Sequence, residues 1–207
     1  MSQDVAVEFI RLVPSILWFL LLVILLFLFY KPIRNELLPK IRGFKGFGVE
    51  VTFVQEEIDK AARNRGFSIP VTELSMVSKR AERLAPVLNG SRVLWVDDRP
   101  ELTAHEVGLL NRLGVSVDIA TTSSEGLSLL SRREYDLVVS DIDRDGVADE
   151  GIRFLSTIRQ RHYDSRVVFY IGDLDRDKGV PAYAFGITNR PDELMHLVFD
   201  GLERRRG

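Results

Sequence analysis

The sequence contains no cysteine, only three histidines and almost no net charge, and each shortage excludes a class of protein. Without cysteine there is neither a disulfide framework nor a thiolate zinc site. His105, His162 and His196 stand far apart without metal-ligand spacing, and no Ser-His-Asp set is discernible. A net charge of −2 gives no general attraction to nucleic acid, and no helix-turn-helix or zinc-finger motif occurs. We therefore expect no nucleic-acid partner.

One long run without any charged residue, residues 12–30, lies near the N-terminus. In a helix it would span about 28 Å, roughly the thickness of a bilayer's hydrocarbon core. Its flanks differ from those of a cleaved signal peptide, because Asp4 and Glu8 precede it and Lys31 begins a basic segment after it. By the positive-inside rule, the chain after this run stays in the cytoplasm. We predict a short extracytoplasmic tail (1–11) and a single-pass anchor in a bacterial inner membrane.

Residues 31–90 are predicted to form a juxtamembrane segment and a linker helix. Alternating apolar and polar residues over 43–54 predict one or two short strands, and residues 55–64 fit a helix. A further helix over 72–88 repeats its apolar positions every three or four residues. That apolar face favours packing on the following domain, and the alternative is a dimerising helix in a homo-oligomer.

From residue 91 onward, apolar strand-like runs alternate with helical patterns. The predicted strands are 92–96, 115–120, 135–140, 166–171 and 184–187, and the predicted helices lie near 101–113, 124–133, 151–161 and 192–204. This alternation predicts an α/β domain (91–207) with a doubly wound, five-stranded parallel sheet. Residues 172–182 are too rich in Asp, Gly and Pro for a good helix.

Two of the predicted strands end on carboxylates. Asp97 and Asp98 follow the first strand, whereas Asp141 follows the third, with Asp143 just beyond it. In open parallel sheets, ligands bind beyond the carboxyl ends of the strands, so these acids are expected at one edge. Carboxylates that close need a counter-cation, and Mg²⁺ prefers oxygen ligands. The sequence therefore predicts a magnesium site.

These residues resemble the response-regulator receiver domain, the flavodoxin-like phosphoacceptor of two-component signalling. The resemblance rests on the paired acids after the first strand, on Tyr-Asp-Leu-Val-Val-Ser before Asp141, and on Asp-Glu-Gly-Ile-Arg-Phe-Leu-Ser-Thr-Ile-Arg after it. It implies that Asp141 accepts a phosphoryl group and that Asp98 and Asp141 hold Mg²⁺ with Asp97 assisting. It also implies a backbone carbonyl ligand at Asp143 and a histidine kinase or other phospho-donor as partner.

Several features depart from the family pattern. Ile171 stands where the family has a switch threonine or serine, and Arg190 replaces the lysine that precedes a proline. Arginine keeps the charge but not the geometry of an ammonium group. The loop after Asp141 is about two residues longer than usual, and the fourth helix is expected to be largely missing. The alternative is therefore a degenerate pseudo-receiver that docks a protein partner without being phosphorylated.

Two further resemblances bear on the same residues. The residues around Asp141 are similar to the nucleophile motif of haloacid-dehalogenase-type phosphatases, although that motif lies on the first strand of its domain. The pattern of Toprim nucleases fits less well, because it needs a glutamate after the first strand where this chain has aspartates. The loops 141–146 and 173–179 resemble the start of a calcium loop, but Ile152 occupies the position of the bidentate glutamate. We expect a phosphoacceptor rather than a turnover enzyme. Its output would pass through an unknown partner protein, self-association or the membrane segment.

Overall fold

The computed structural model describes residue 18 and residues 47–144, 146–175, 177 and 179–206. Residues 47–207 form one compact unit. The predicted tail (1–11) and, apart from residue 18, the predicted anchor (12–30) lie outside the described residues. Among the helices that are described, none has the length and apolar character needed to cross a membrane.

The chain from residue 91 onward forms an α/β domain whose strands alternate with helices. Its strands are β1 (Arg92–Val96), β2 (Ser116–Ala120), β3 (Leu137–Ser140), β4 (Arg166–Tyr170) and β5 (Gly186–Thr188). The helices are α4 (Ala104–Arg112, after a 3-10 turn at Pro100–Thr103), α5 (Ser123–Arg132), α6 (Glu150–Gln160) and α7 (Pro191–Arg206). These bounds confirm the predicted elements to within about two residues at most ends.

All five strands are parallel and lie in the order β2-β1-β3-β4-β5. The central strands are buried on both faces, which is why they appear in the sequence as continuous apolar runs. Val93 and Trp95 belong to the core on one face, whereas Leu94 and Val96 belong to the core on the other. The predicted doubly wound sheet is thereby confirmed.

The segment before the sheet contains helices joined by short turns and loops, and no strand, where it is described. It consists of α1 (Phe47–Asn64), α2 (Val71–Arg83) and the short α3 (Ala85–Leu88). The prediction of strands over 43–54 is therefore wrong from residue 47 onward. Val54, Ile58 and Ala62 recur at helical spacing and are buried, because α1 packs on α2, α4 and α7. This tertiary packing outweighs the alternating pattern of its first residues.

The apolar face of the second predicted helix packs within the chain. Leu74, Val77 and Ala81 on α2 and Leu84 after it are buried in the same core as β1 and α7. The interpretation as a packing face is confirmed, so these four residues are not available as a dimerising surface.

No α-helix joins β4 to β5 among the described residues of 171–185, which form bends, turns and irregular backbone with 3-10 geometry at residue 177. The expectation that the fourth helix of the family would be largely missing is confirmed for these residues.

Candidate functional site

The end of β1 places two carboxylates at the edge of the sheet. The backbone N–H of Asp97 donates to the carbonyl of Ala120 (3.0 Å), which continues the pairing of β1 with β2 by one residue. The Asp97 carboxylate is buried and accepts a hydrogen bond from the backbone N–H of Arg99 (2.9 Å). Asp98 follows in a half-buried position. Asp97 is thus fixed by the turn that leaves the strand, and Asp98 is the next residue of that turn.

The end of β3 brings Asp141 to the same place. Val96 is in register with Ser140, and the backbone N–H of Asp141 donates to the Val96 carbonyl (3.0 Å). As a result, carboxylate oxygens of Asp97, Asp98 and Asp141 lie within 4.8 Å of one another. The sequence-based expectation that these acids meet at one edge of the sheet is confirmed.

The environment of Asp141 disfavours its charge when no cation is present. Burial raises the pKa of Asp141 to about 6; the hydrogen bond from the Ile142 N–H opposes this rise, and the charges of Asp97 and Asp98 add to it. Three oxygen donors that close, in a site that penalises unbalanced negative charge, suit a hard divalent cation such as Mg²⁺. The donor set therefore fits the predicted ion.

The fourth predicted ligand, Asp143, is placed differently. Its carboxylate accepts a hydrogen bond from the backbone N–H of Asp149 (2.9 Å), within the loop that joins β3 to α6. It is not part of the cluster formed by the other three acids. The carboxylate of Asp143 thus braces the loop, and only its backbone carbonyl remains a predicted ligand.

Gly151, at the start of α6, allows that helix to approach the acceptor strand closely. A Cβ atom at this position would overlap the carbonyl group of Asp141 and would lie 2.8 Å from the Cα of Ile142. The Gly151 N–H also donates to the Ile142 carbonyl (2.7 Å). The absence of a side chain at Gly151 leaves space beside the Asp141 peptide, a role that the sequence pattern alone does not reveal.

Arg144 is a second residue of the site that the sequence pattern does not reveal. It lies three positions after Asp141 and is 1% exposed. Its Nη1 donates to the Ser140 hydroxyl (2.6 Å) and to the Asp141 carbonyl (2.5 Å), while its Nη2 donates to the Ser123 hydroxyl (2.6 Å). The guanidinium also lies 5.5 Å from the centre of the Phe154 ring. An arginine in an aspartate-rich loop is expected to be exposed to solvent, so the local sequence does not indicate that Arg144 is buried.

A cleft of about 470 Å³ opens beside Asp141, between the loops that follow β3 and β4. Its lining includes the apolar residues Ile142, Ile152 and Ile187, together with Asp143, Asp149 and acidic residues of the second loop. The second loop contributes Asp173 and Asp175. The prediction that two aspartate-rich loops lie at the same edge of the sheet is confirmed for these residues.

Ile171 lies in the wall of this cleft, directly after β4. Its backbone N–H donates to the carbonyl of Thr188 (3.0 Å), which extends the β4–β5 pairing. Its side chain carries no hydroxyl, so it cannot make the hydrogen bond that the family's switch residue would make. The Thr188 hydroxyl does not substitute for it, because it donates to Glu193 on α7 (2.6 Å).

Arg190, the predicted counterpart of the family lysine, is engaged at the start of α7. Its Nη2 pairs with Asp192 (2.8 Å), and its guanidinium lies 5.6 Å from the ring of Phe67. The hydrogen bond to Asp192 raises the pKa of Arg190. Among the described contacts of Arg190, none reaches the three clustered acids. Its role as a phosphate ligand remains a prediction.

The end of β4 is instead contacted by the segment that precedes the sheet. Arg65, just after α1, donates from Nη1 to the Ile171 carbonyl (2.8 Å) and stacks on the Tyr170 ring at 3.8 Å. The Tyr170 hydroxyl donates to the buried carboxylate of Glu106 on α4 (2.6 Å), which lies 3.9 Å from Arg65 Nε. Burial raises the pKa of Glu106, and the hydrogen bond from Tyr170 opposes that rise. We call Arg65, Glu106 and Tyr170 the β4 clamp.

Comparisons with known proteins agree with this geometry. Residues 93–189 match the family model of the response regulator receiver domain. No curated protein matches the sequence significantly. The receiver domain of the Francisella response regulator 1452 is 20% identical, with a TM-score of 0.50 over 56% of this chain and 99% of that one.

Two other solved structures are similar to the same part of the chain. The response regulator TrrA from Thermotoga maritima, solved in complex with Mg²⁺-BeF, is 24% identical over 54% of this chain and 98% of that one, with a TM-score of 0.47. A receiver domain protein from Clostridium thermocellum is 22% identical over 56% and 97%, with a TM-score of 0.49. The match to the family model identifies residues 93–189 as a receiver domain of the response-regulator type.

Proposed function

We propose that this receiver domain is a magnesium-dependent phosphoacceptor that takes a phosphoryl group onto Asp141 in a phosphorelay. The observation that carries the proposal is the meeting of the Asp97, Asp98 and Asp141 carboxylates within 4.8 Å at the sheet edge. Asp97 and Asp98 come from β1 and Asp141 from β3, so the cluster depends on the fold and not on one acidic stretch.

The chemistry follows from the position of Asp141. One carboxylate oxygen of Asp141 attacks phosphorus, and a new P–O bond forms while the bond from phosphorus to the donor breaks. The donor nitrogen of a phosphohistidine, or the acetate oxygen of acetyl phosphate, leaves with the electron pair. When bound by the three acids, Mg²⁺ neutralises charge on the carboxylates and on the phosphoryl oxygens. Arg190 is our candidate for an additional phosphoryl contact, which requires its side chain to leave Asp192.

Labelling by acetyl phosphate tests this proposal. The full chain incubated with acetyl phosphate and Mg²⁺ should gain one phosphoryl group, detected by intact mass. Asp141→Asn should abolish the gain, because the amide is not a nucleophile. Asp173→Asn is the matched control, since Asp173 lines the same cleft outside the cluster, and it should label like the wild type.

Each of the other outcomes assigns a different function. A wild-type chain that binds Mg²⁺ but never labels would be the pseudo-receiver, acting by docking a protein partner. Steady release of product from an aryl phosphate would indicate a phosphatase of the haloacid-dehalogenase kind. Either result would refute the phosphoacceptor.

We further propose that the output runs through the helical segment that precedes the sheet. Three observations support this direction. The family's switch hydroxyl is absent at Ile171, no α-helix is seen between β4 and β5 among the described residues, and Arg65 binds the carbonyl of Ile171 (2.8 Å). The β4 clamp thus couples the strand end beside the cleft to α1.

The predicted membrane anchor is consistent with an output that passes through the helices before the sheet. An apolar run at 12–30 would hold the domain at the cytoplasmic face of a bacterial inner membrane, and α1 is the first helix described after that run in the sequence. A phosphorelay signal would then be delivered to a membrane-proximal partner or to a second copy of the chain. Recovery of the full chain in the membrane fraction, and its loss on deleting residues 1–46, would test the anchor.

A further inference from the structure

Arg144 is one of the largest fully buried side chains that the structure describes, although it carries a charge. Its three hydrogen-bond acceptors, the hydroxyls of Ser140 and Ser123 and the carbonyl of Asp141, are all neutral. They satisfy N–H groups without cancelling the charge. Since a buried, uncompensated charge is strongly unfavourable, the compensation must come from charges that do not touch the guanidinium.

Those charges are the clustered acids and Glu150. Burial lowers the pKa of Arg144, and the negative charges of Glu150, Asp141 and the two acids after β1 act in the opposite direction. Glu150 has a separate cationic partner, because Arg153 Nη1 lies 3.9 Å from its carboxylate. The positive charge of Arg144 acts on Glu150 first and on the cluster as well, while Arg153 balances part of the Glu150 charge.

Counting charges relates Arg144 to the metal. When ionised, the three clustered acids and Arg144 together leave two negative charges, which one divalent cation balances. Without Arg144, one negative charge would remain after Mg²⁺ binding. A further negative group, such as a phosphoryl group, would then enter a site that is already unbalanced.

We infer that Arg144 is a positioning residue that supplies a fixed positive charge behind the acid cluster and holds the backbone carbonyl of Asp141. The inference rests on the proposed function where it concerns phosphoryl transfer. In the metal-free protein, Arg144 reduces repulsion among the three acids, and for that reason it also limits their affinity for Mg²⁺. Its hydrogen bonds tie the acceptor loop to α5 through Ser123, so that Asp141 keeps its place as the charge of the site changes.

The test compares variants of the full chain that separate charge from hydrogen bonding. Arg144→Met removes the charge and keeps the length, Arg144→Lys keeps the charge without the planar fork, and Ser123→Ala removes one acceptor. We expect Arg144→Met to bind Mg²⁺ more tightly, by about threefold to tenfold, because repulsion in the metal-free state is no longer relieved. Arg144→Lys and Ser123→Ala should stay within about twofold of the wild type in calorimetric titration.

If Arg144 merely braced the loop, removing its charge would not strengthen the binding of Mg²⁺. In that case Arg144→Met would bind Mg²⁺ equally well or more weakly than the wild type, and this result would overturn the inference. Acetyl phosphate labelling of Arg144→Met should be slower in spite of the tighter metal. Labelling at the wild-type rate would contradict the positioning role.

A second measurement covers the case in which Arg144→Met does not fold without metal. Adding Asp98→Asn to Arg144→Met removes one of the repelling charges and should raise the thermal midpoint by more than Asp98→Asn does in the wild type. Equal effects in the two backgrounds, or no recovery of folding, would refute the charge coupling. Because this comparison uses metal-free protein, it still decides the role of Arg144 if the wild type proves unable to bind Mg²⁺ or to label.

Discussion

Two corners of the sheet edge, side by side in the same domain, follow the receiver pattern to different degrees. The acceptor corner, formed by Asp97, Asp98 and Asp141 at the ends of β1 and β3, has the paired acids and the acceptor of the family in the expected geometry. The read-out corner, formed by the ends of β4 and β5 with Ile171 and Arg190, lacks the switch hydroxyl and engages its arginine with Asp192. The comparison teaches that the proposed acceptor residues and the family's switch residues are separate sets, so one set can be present while the other is replaced.

The rebuilt read-out corner uses a residue from outside the sheet. Arg65 reaches the carbonyl of Ile171, so the contact is made to backbone and does not depend on the side chain at that position. A receiver with an intact acceptor corner and this contact would report to the preceding helices, whereas ordinary receivers of the family use the face formed by their last helices and strand.

The largest expected effect comes from filling the space beside Asp141. Gly151→Ala places a methyl group against the backbone of Asp141 and Ile142, and neither α6 nor β3 can move without disturbing the core. We expect a loss of about 3 kcal/mol in the free energy of unfolding and a weakening of Mg²⁺ binding by about tenfold to a hundredfold. Chemical denaturation and calorimetric titration measure the two effects.

Gly172→Ala is the matched control in the read-out corner. A Cβ atom at Gly172 meets no atom within 4 Å, so its stability should stay within about 0.5 kcal/mol of the wild type. If both alanine variants bind Mg²⁺ like the wild type, the close approach at Gly151 does not position the acceptor.

The next effect concerns the β4 clamp. Arg65→Met removes the hydrogen bond to Ile171 and the contact with Tyr170, and it leaves the buried Glu106 without its neighbouring cation. We expect a loss of about 2 kcal/mol in stability. In hydrogen–deuterium exchange, α1 of the wild type should change its protection on addition of acetyl phosphate and Mg²⁺, and α1 of Arg65→Met should not.

Arg63→Met provides the control for that experiment. Arg63 is exposed near the end of α1 and its side chain forms an ion pair with Asp59, so its loss should cost about 0.5 kcal/mol or less. The control should keep the exchange response of α1. An unchanged response in Arg65→Met would show that the clamp is structural and carries no signal.

A smaller effect is the dependence of stability on pH. Because the pKa of Asp141 in the metal-free fold is about 6, against an ordinary value of 3.8, the folded state binds more protons than the unfolded state between these values. The contribution of Asp141 to stability therefore falls as pH rises from about 4 to about 6, by roughly 1–2 kcal/mol, and stays lost above that range. Mg²⁺ should restore it at pH 7.

Asp141→Asn isolates this contribution. The variant should be more stable than the metal-free wild type at pH 7 and should lose the advantage towards pH 4, as measured by denaturation at each pH. A difference between the two proteins that is constant across the range would contradict the raised pKa.

The sequence was informative where structure is determined by local pattern. Strands buried on both faces appear as apolar runs, and the acids at their ends follow directly, which is why Asp97, Asp98 and Asp141 could be named in advance. Residues 47–54 were wrongly predicted as a strand, because their alternation of apolar and polar residues fits a strand as long as the packing of α1 is not known. Contacts between distant segments left no pattern either: Arg65 meets Ile171 across 106 positions of chain. The burial of Arg144 likewise depends on α5, α6 and the acid cluster together.

The central claim is that acids from two separate strands hold one magnesium ion, and a calorimetric Mg²⁺ titration of the metal-free protein tests it most directly. We predict one ion per chain, with binding lost in Asp98→Asn and in Asp141→Asn and retained in Asp143→Asn, whose carboxylate serves the loop. Binding that survives the first two substitutions, or no binding by the wild type, would contradict the account.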